Sequence, residues 1–183
     1  MKLNIQFISQ QDPSIPEEWR GKSCGITCLK MCLDFYKKEI PAINELIKEG
    51  EIIDARIEGI GWKHDGLVRI AHNHGVPAYQ EEFRSVKVDL FEKTFSSSEF
   101  ENELTTIGLQ RIKDSIVRNV PVIVSFKKGF GSIENNHDLV VIGFDENGGF
   151  IVHDPSNSDP KEAVLVDEST FKSFWRKFAI FVG

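Results

Sequence analysis

Ser23-Cys24-Gly25-Ile26-Thr27-Cys28-Leu29-Lys30-Met31-Cys32-Leu33-Asp34-Phe35-Tyr36 is the first strongly periodic segment of the chain. Cys24, Cys28, Met31, Cys32 and Phe35 fall at i, i+4, i+7, i+8 and i+11, one apolar stripe that predicts a helix from Cys24 to about Lys38. Ser23 stands where an N-cap belongs. All three cysteines of the protein lie on this face. An odd number cannot all pair within one chain, and a disulfide scaffold would spread its bridges over distant segments. Reduced thiols in a cytoplasmic setting are therefore expected.

Working outward, Ile5-Gln6-Phe7 alternates like a strand and runs into a polar loop from Asp12 to Lys22. Between Ile40 and His74 the pattern is helical but broken by Gly50, Gly59, Gly61 and Gly66. Leu67, Ile70 and Ala71 mark a helix that stops at Gly75. Val76 to Phe83 reads as a short strand, and Leu109 to Arg118 as a helix behind a serine-rich, acidic stretch from about Ser96 to Glu103. The character then changes. Val120–Phe126, Leu139–Phe144, Phe150–Val152, Ala163–Val166 and Ala179–Val182 are short β-branched or aromatic runs separated by turn residues. Phe171, Phe174, Trp175 and Phe178 form a helical stripe that must dock somewhere. The expectation is an α+β fold in one domain, 1–183, with a helical lobe over about 1–118 and an antiparallel β lobe over about 119–183.

The whole-chain figures agree with one ordinary globular domain. At 183 residues the chain is long enough to bury its own core, 40% of it is hydrophobic, and 27% is charged. Twenty-two basic residues against 28 acidic ones leave a net charge of -6, the wrong sign for a nucleic-acid backbone binder. No stretch approaches the roughly 18 apolar residues of a membrane span, and the N-terminus has no apolar core of an export signal.

Cys24 occupies the first turn of its helix, where free amides and the positive end of the helix dipole favour a thiolate. Gly25 beside it would let a substrate approach the backbone. Cys28 and Cys32, one and two turns further in, have no such environment and read as packing. A thiolate nucleophile needs a base from a distant segment. His137 begins a strand, Asp154 ends the next, and Asp145-Glu146-Asn147-Gly148 between them is a hairpin turn signal. A four-residue loop would pair Phe144 with Gly149 and set Leu139 opposite Asp154, one diagonal step from His137 on the same face. A two-residue Asn147-Gly148 turn would instead set Asp154 opposite Val141, two pairs from His137 and too far to reach it. In both registers His153 points to the other face, so Asp154 is the expected partner that orients His137.

These residues carry a resemblance. Ser23 to Met31 followed by Asp34-Phe35-Tyr36 resembles the nucleophile helix of the bacteriocin-processing (double-glycine leader) cysteine peptidases. His137-Asp138-Leu139-Val140-Val141-Ile142-Gly143 with Asp154-Pro155 resembles that family's second motif, and Gln10 or Gln11 resembles its oxyanion-hole glutamine. The resemblance implies a papain-like fold and a cysteine peptidase acting through an acyl-enzyme. Cys24 would be nucleophile, His137 base and Asp154 orienter, with one of Gln10 and Gln11 joining the Cys24 amide at the oxyanion. Ser23 departs from the acidic residue usual before the nucleophile. The Gln-to-Cys spacing of 13 or 14 residues requires Pro13 to Arg20 to loop out. No exporter follows the peptidase-like region, so leader cleavage as such is not implied.

The expected partner is a peptide or protein substrate, and the chemistry needs no cofactor. Three cysteines along one helix cannot easily wrap a tetrahedral ion, which argues against a zinc site with His72-Asn73-His74. Gly59-Ile60-Gly61 and Gly129-Phe130-Gly131 do not continue as phosphate-binding fingerprints, and Ser132 is not in a nucleophile elbow. Two other readings use the same residues: an acyltransferase that passes the acyl group to an amine or thiol, and a non-catalytic module that holds extended peptides.

Overall fold

The computed structural model describes residues 1–37, 39–59, 61–89, 94–97, 100–127, 136–157 and 163–183. Gly129-Phe130-Gly131 and Ser132, and Ile60 between Gly59 and Gly61, lie outside them.

The helix opened by the cysteine stripe, α1, spans Cys24–Tyr36, and its inner face is fully buried. Ser23 does not cap it. Its side chain accepts nothing from the first turn; its carbonyl takes the Thr27 amide, and its hydroxyl accepts only from Thr27 Oγ1 at 3.5 Å. Two further helices, α2 (Ile43–Ile52) and α3 (His64–Asn73), complete the helical layer. Between them Arg56–Ile57 (β1) and Gly61–Trp62 (β2) pair as a short hairpin. The α3 helix ends as its pattern predicts, with Gly75 in the left-handed region at φ 67°.

Ala78–Glu82 (β3) is the expected short strand. Val86–Asp89 (β4) and Thr94–Ser97 (β5) form a separate two-stranded ribbon. The next helix, α4, runs over Glu101–Val117, starting eight residues before Leu109. Its extra turns are set by packing: a Cβ on Gly108 would come within 2.6 Å of Trp175 and Phe83, so only glycine lets the helix lie there.

The sheet is completed by Val122–Phe126 (β6), His137–Phe144 (β7), Phe150–His153 (β8), Val164–Val166 (β9), the helix Glu168–Phe174 (α5) and Trp175–Val182 (β10). Six strands run antiparallel in the order β3-β10-β6-β7-β8-β9. The middle strands are apolar on both faces because both faces are covered; β6 is buried throughout and β7 at all but its last residue. The supposed helical stripe Phe171–Phe178 is split. The helix stops at Phe174, and Trp175 and Phe178 belong to β10, with Phe171 stacked on Phe150 at 4.1 Å and edge-on to Phe126.

Two irregularities position the site. On β7, Val141 pairs with Val152 but Gly143 with Ile151, so Ile142 is one extra residue. Its carbonyl accepts the Leu3 amide at 2.7 Å, which ties the N-terminal segment to the sheet. On β10, Trp175 pairs with Phe126 and Ala179 with Val124, so four steps along β10 cover two along β6. Lys177 inside that bulge adopts φ 62°.

Candidate active site

The hairpin between β7 and β8 turns through Asp145 to Gly149, closed by the Asp145 amide on the Gly149 carbonyl at 2.9 Å. The turn is one residue longer than the four-residue expectation, so Phe144 pairs with Phe150, not Gly149. The extra residue at Ile142 cancels that difference. Beyond it Val140 faces His153, and continuing the register sets Leu139 opposite Asp154, as the shorter loop would have done. His153 points away and hydrogen-bonds to the Ile5 carbonyl at 3.0 Å.

His137 Nε2 donates to Asp154 Oδ1 at 2.7 Å, with both side chains shut off from solvent. The same oxygen accepts from the amide and hydroxyl of Ser156 at 2.8 and 2.6 Å. Burial alone would push the Asp154 carboxyl up, but the bonds from His137 and Ser156 outweigh it and hold it at about 2. Burial likewise disfavours the charged imidazole. The bonds to Asp154 and to the Cys24 side chain prevail over it and raise His137 to about 10. With Nε2 committed to Asp154, Nδ1 is the ring nitrogen left for the thiol. The imidazole of His137 thus interacts with Asp154 on one side and with the Cys24 side chain on the other.

The other two cysteines differ in kind. Cys28 and Cys32 are fully buried, and burial pushes both thiols up. Cys28 donates to the Asp138 carbonyl at 3.3 Å, stitching α1 to β7. Gly25 does not hold open space for a substrate: a Cβ there would meet Asp138 Oδ2 at 2.9 Å and Leu67 and Trp62 at 3.2 Å. The glycine lets α1 close against the protein's own side chains.

The two glutamines separate. Gln10 is buried, its backbone amide donates to the Pro155 carbonyl at 2.8 Å next to Asp154, and its Oε1 has no hydrogen-bond partner among the described residues. Gln11 is exposed and its amide group donates to the Arg20 carbonyl at 3.3 Å. The spacer Pro13–Arg20 is a folded loop of turns around a short 3-10 helix, Glu17–Trp19. It folds back on itself, with the Arg20 guanidinium bonded to the carbonyls of Pro13 and Ile15, and buries Ile15 and Trp19. Trp19 packs on Trp62, whose indole N–H donates to the Lys22 carbonyl at 3.0 Å just ahead of Cys24.

A cavity of about 250 Å³ opens beside Cys24, lined by Trp62, His64, Ser125, Asp138 and Arg176 among others. Sequence reading did not find these last four. Asp138 and Ser125 pair across β6 and β7, and His64 lies 3.7 Å from Asp138 Oδ1. The only sequence signal was the doublet His137-Asp138, which alternation requires to face both ways.

Helices laid against an antiparallel sheet, with a thiol, an imidazole and a carboxylate in series where they meet, make up an α+β peptidase domain. The chain belongs to the Peptidase_C39 like family, whose sequence model matches residues 2–179. The fold is similar to the peptidase domain of Streptococcus ComA, a bi-functional ABC transporter involved in quorum sensing, at TM-score 0.62 and 20% identity over 98% of each chain. It is also similar to a double glycine motif protease from an AMS/PCAT transporter, solved with the leader peptide, at TM-score 0.58 and 17% identity over 99% of this chain and 92% of that one. At these identities the likeness is one of fold. A search of curated proteins gives no significant match. Among the described residues, no helix is long and apolar enough to cross a membrane.

Proposed function

We propose that the chain is a cysteine peptidase that cleaves a peptide or amide bond through an acyl-enzyme on Cys24. The observation that carries this reading is the unbroken series from the Cys24 side chain through the imidazole of His137 to Asp154. The raised proton affinity of His137 lets the imidazole take the thiol proton and carry it as an imidazolium.

The Cys24 sulfur attacks the carbonyl carbon; the C–S bond forms and the π electrons move to oxygen. Gln10 is the glutamine assigned to that oxygen, together with the Cys24 amide, because it is buried beside the Asp154 turn whereas Gln11 spends its amide on Arg20. Collapse of the tetrahedral species breaks the C–N bond, and His137 gives its proton to the departing amine. Water then attacks the thioester and yields a proton to His137, and the C–S bond breaks to restore the starting state. Asp154 keeps the imidazole oriented throughout. A peptide occupant is consistent with the related double glycine motif protease, which was solved with a leader peptide.

Incubation with an amine-blocked, protease-digested proteome, followed by mass spectrometry of new N-termini, tests the reading. Cleavage by the wild type and none by Cys24→Ala is expected; equal cleavage by both overturns it. Adding a competing amine separates hydrolysis from acyl transfer, since products formed only by transfer would replace the peptidase with an acyltransferase.

A further inference from the structure

The cavity beside Cys24 continues past His64 and Arg176 into a second hollow of about 210 Å³ that also contains Glu82, Arg84 and Phe178. Most of the ionisable side chains along it have a partner. Lys63 is bonded to Asp54 at 2.6 Å, Arg84 to Glu82, and His64 lies against Asp138 at 3.7 Å. Arg176 forms no ion pair among the described residues. Its single side-chain bond runs from Nη1 to the neutral Ser125 hydroxyl at 3.3 Å. A guanidinium has five N–H donors, and a half-buried one without an anion leaves most of its capacity for charge-assisted bonds unused.

The backbone is built to put it there. Arg176, Lys177 and Phe178 together oppose Ser125, two residues more than a regular ladder allows. Lys177 takes φ 62°, a conformation that costs a non-glycine residue energy and tends to persist near functional sites. Phe178 in the same bulge packs on the His64 ring at 4.2 Å and lines the second hollow. The distortion therefore sets a cation with no ion pair among the described residues in the wall that the thiol cavity shares with the second hollow.

We propose that Arg176 is a specificity determinant that receives a carboxylate of the substrate peptide, so that cleavage favours peptides with an acidic group at a fixed distance from the scissile bond. This rests on the peptidase reading above. It runs against the overall charge of -6, which by itself would favour basic peptides. The carboxylate could come from an Asp or Glu side chain or from a peptide C-terminus.

The test compares wild type, Arg176→Gln and Arg176→Lys on two proteome-derived peptide libraries, one native and one with all carboxyls converted to neutral amides. Expected is at least about tenfold enrichment of an acidic group in wild-type cleavages, the strength of a charge-assisted bond. It should be absent from the amidated library, lost in Arg176→Gln and partly kept in Arg176→Lys. Enrichment of Asp or Glu at one position identifies a side chain; a constant distance to the peptide end identifies a terminal carboxylate. Wild-type cleavage without acidic enrichment, or enrichment unchanged in Arg176→Gln, overturns the proposal while leaving the peptidase intact. Should nothing be cleaved, the peptidase reading fails and the proposal is read from Cys24 labelling by acetylated tetrapeptide chloromethyl ketones, with Glu or Gln scanned through each position. A Glu-to-Gln rate ratio near one at every position overturns it. A raised ratio that falls with added salt and in Arg176→Gln supports it, and the salt dependence serves if that variant does not fold.

Discussion

Cys24 lies near two histidine–carboxylate pairs, each with one member on β7, at His137 and at Asp138, and they are unlike. His137 and Asp154 meet at 2.7 Å with no solvent exposure, and Asp154 is further held by Ser156. His64 and Asp138 stand 3.7 Å apart, both side chains partly open to the cavity. The difference is one of surroundings, since the residue types are the same. A dry, short, triply bonded carboxylate fixes one imidazole and keeps it charged; a looser pair in the wall of a hollow can adjust to an occupant.

The largest effect should separate the two histidines. His137→Ala is expected to lower kcat/KM by about 10³-fold or more, as loss of a base does in related triads, and His64→Ala by less than about tenfold. Comparable losses would erase the distinction drawn here. On stability, Asp154→Ala should cost about 3–5 kcal/mol, because it strands a buried charge. Asp138→Asn should cost well under half of that in chemical denaturation, since its carboxylate reaches the cavity. Asp154→Asn keeps an acceptor for Nε2 but removes the charge that favours the imidazolium, so the alkaline limb of its rate profile should move to lower pH.

The dry pair should also leave a signature in stability against pH. His137 is raised from 6.5 to about 10, so its contribution is complete below pH 6.5 and is lost as pH rises toward 10. Asp154 is lowered from 3.8 to about 2, so its contribution is complete above pH 3.8 and fades as pH falls toward 2. Unfolding measured from pH 6 to 10 should therefore show a decline in the wild type that is flattened in His137→Gln. A smaller effect is expected at Gly25→Ala, where the added methyl presses on Asp138, Leu67 and Trp62. A loss of about 1–3 kcal/mol, typical of overpacking, should appear as a lower denaturation midpoint.

Much of this arrangement can be read from the residues. The cysteine stripe defines α1, the β-branched runs define the sheet, and side-chain parity puts Asp154 and His137 on one face for either the two- or the four-residue turn. What escapes reading is set by tertiary contact. The register at Asp154 survives a longer turn only because Ile142 is extruded to meet Leu3. The Phe171–Phe178 stripe has helical spacing, yet Trp175 pairs with Phe126 and Lys177 turns left-handed, so the helix ends early. Ser23 has the chemistry of a cap but not its backbone, with φ -103° and ψ 11°. His64, Asp138 and Arg176 come from three distant segments, and no local pattern brings them together.

The central claim is that Cys24 alone among the three cysteines is chemically poised, and alkylation by iodoacetamide across pH, read by mass spectrometry at each cysteine, tests it most directly. At about pH 6, well below the range in which a free thiol ionises, Cys24 should be modified far faster than Cys28 and Cys32. That advantage should collapse in His137→Ala. Equal rates at all three cysteines at that pH would contradict the account.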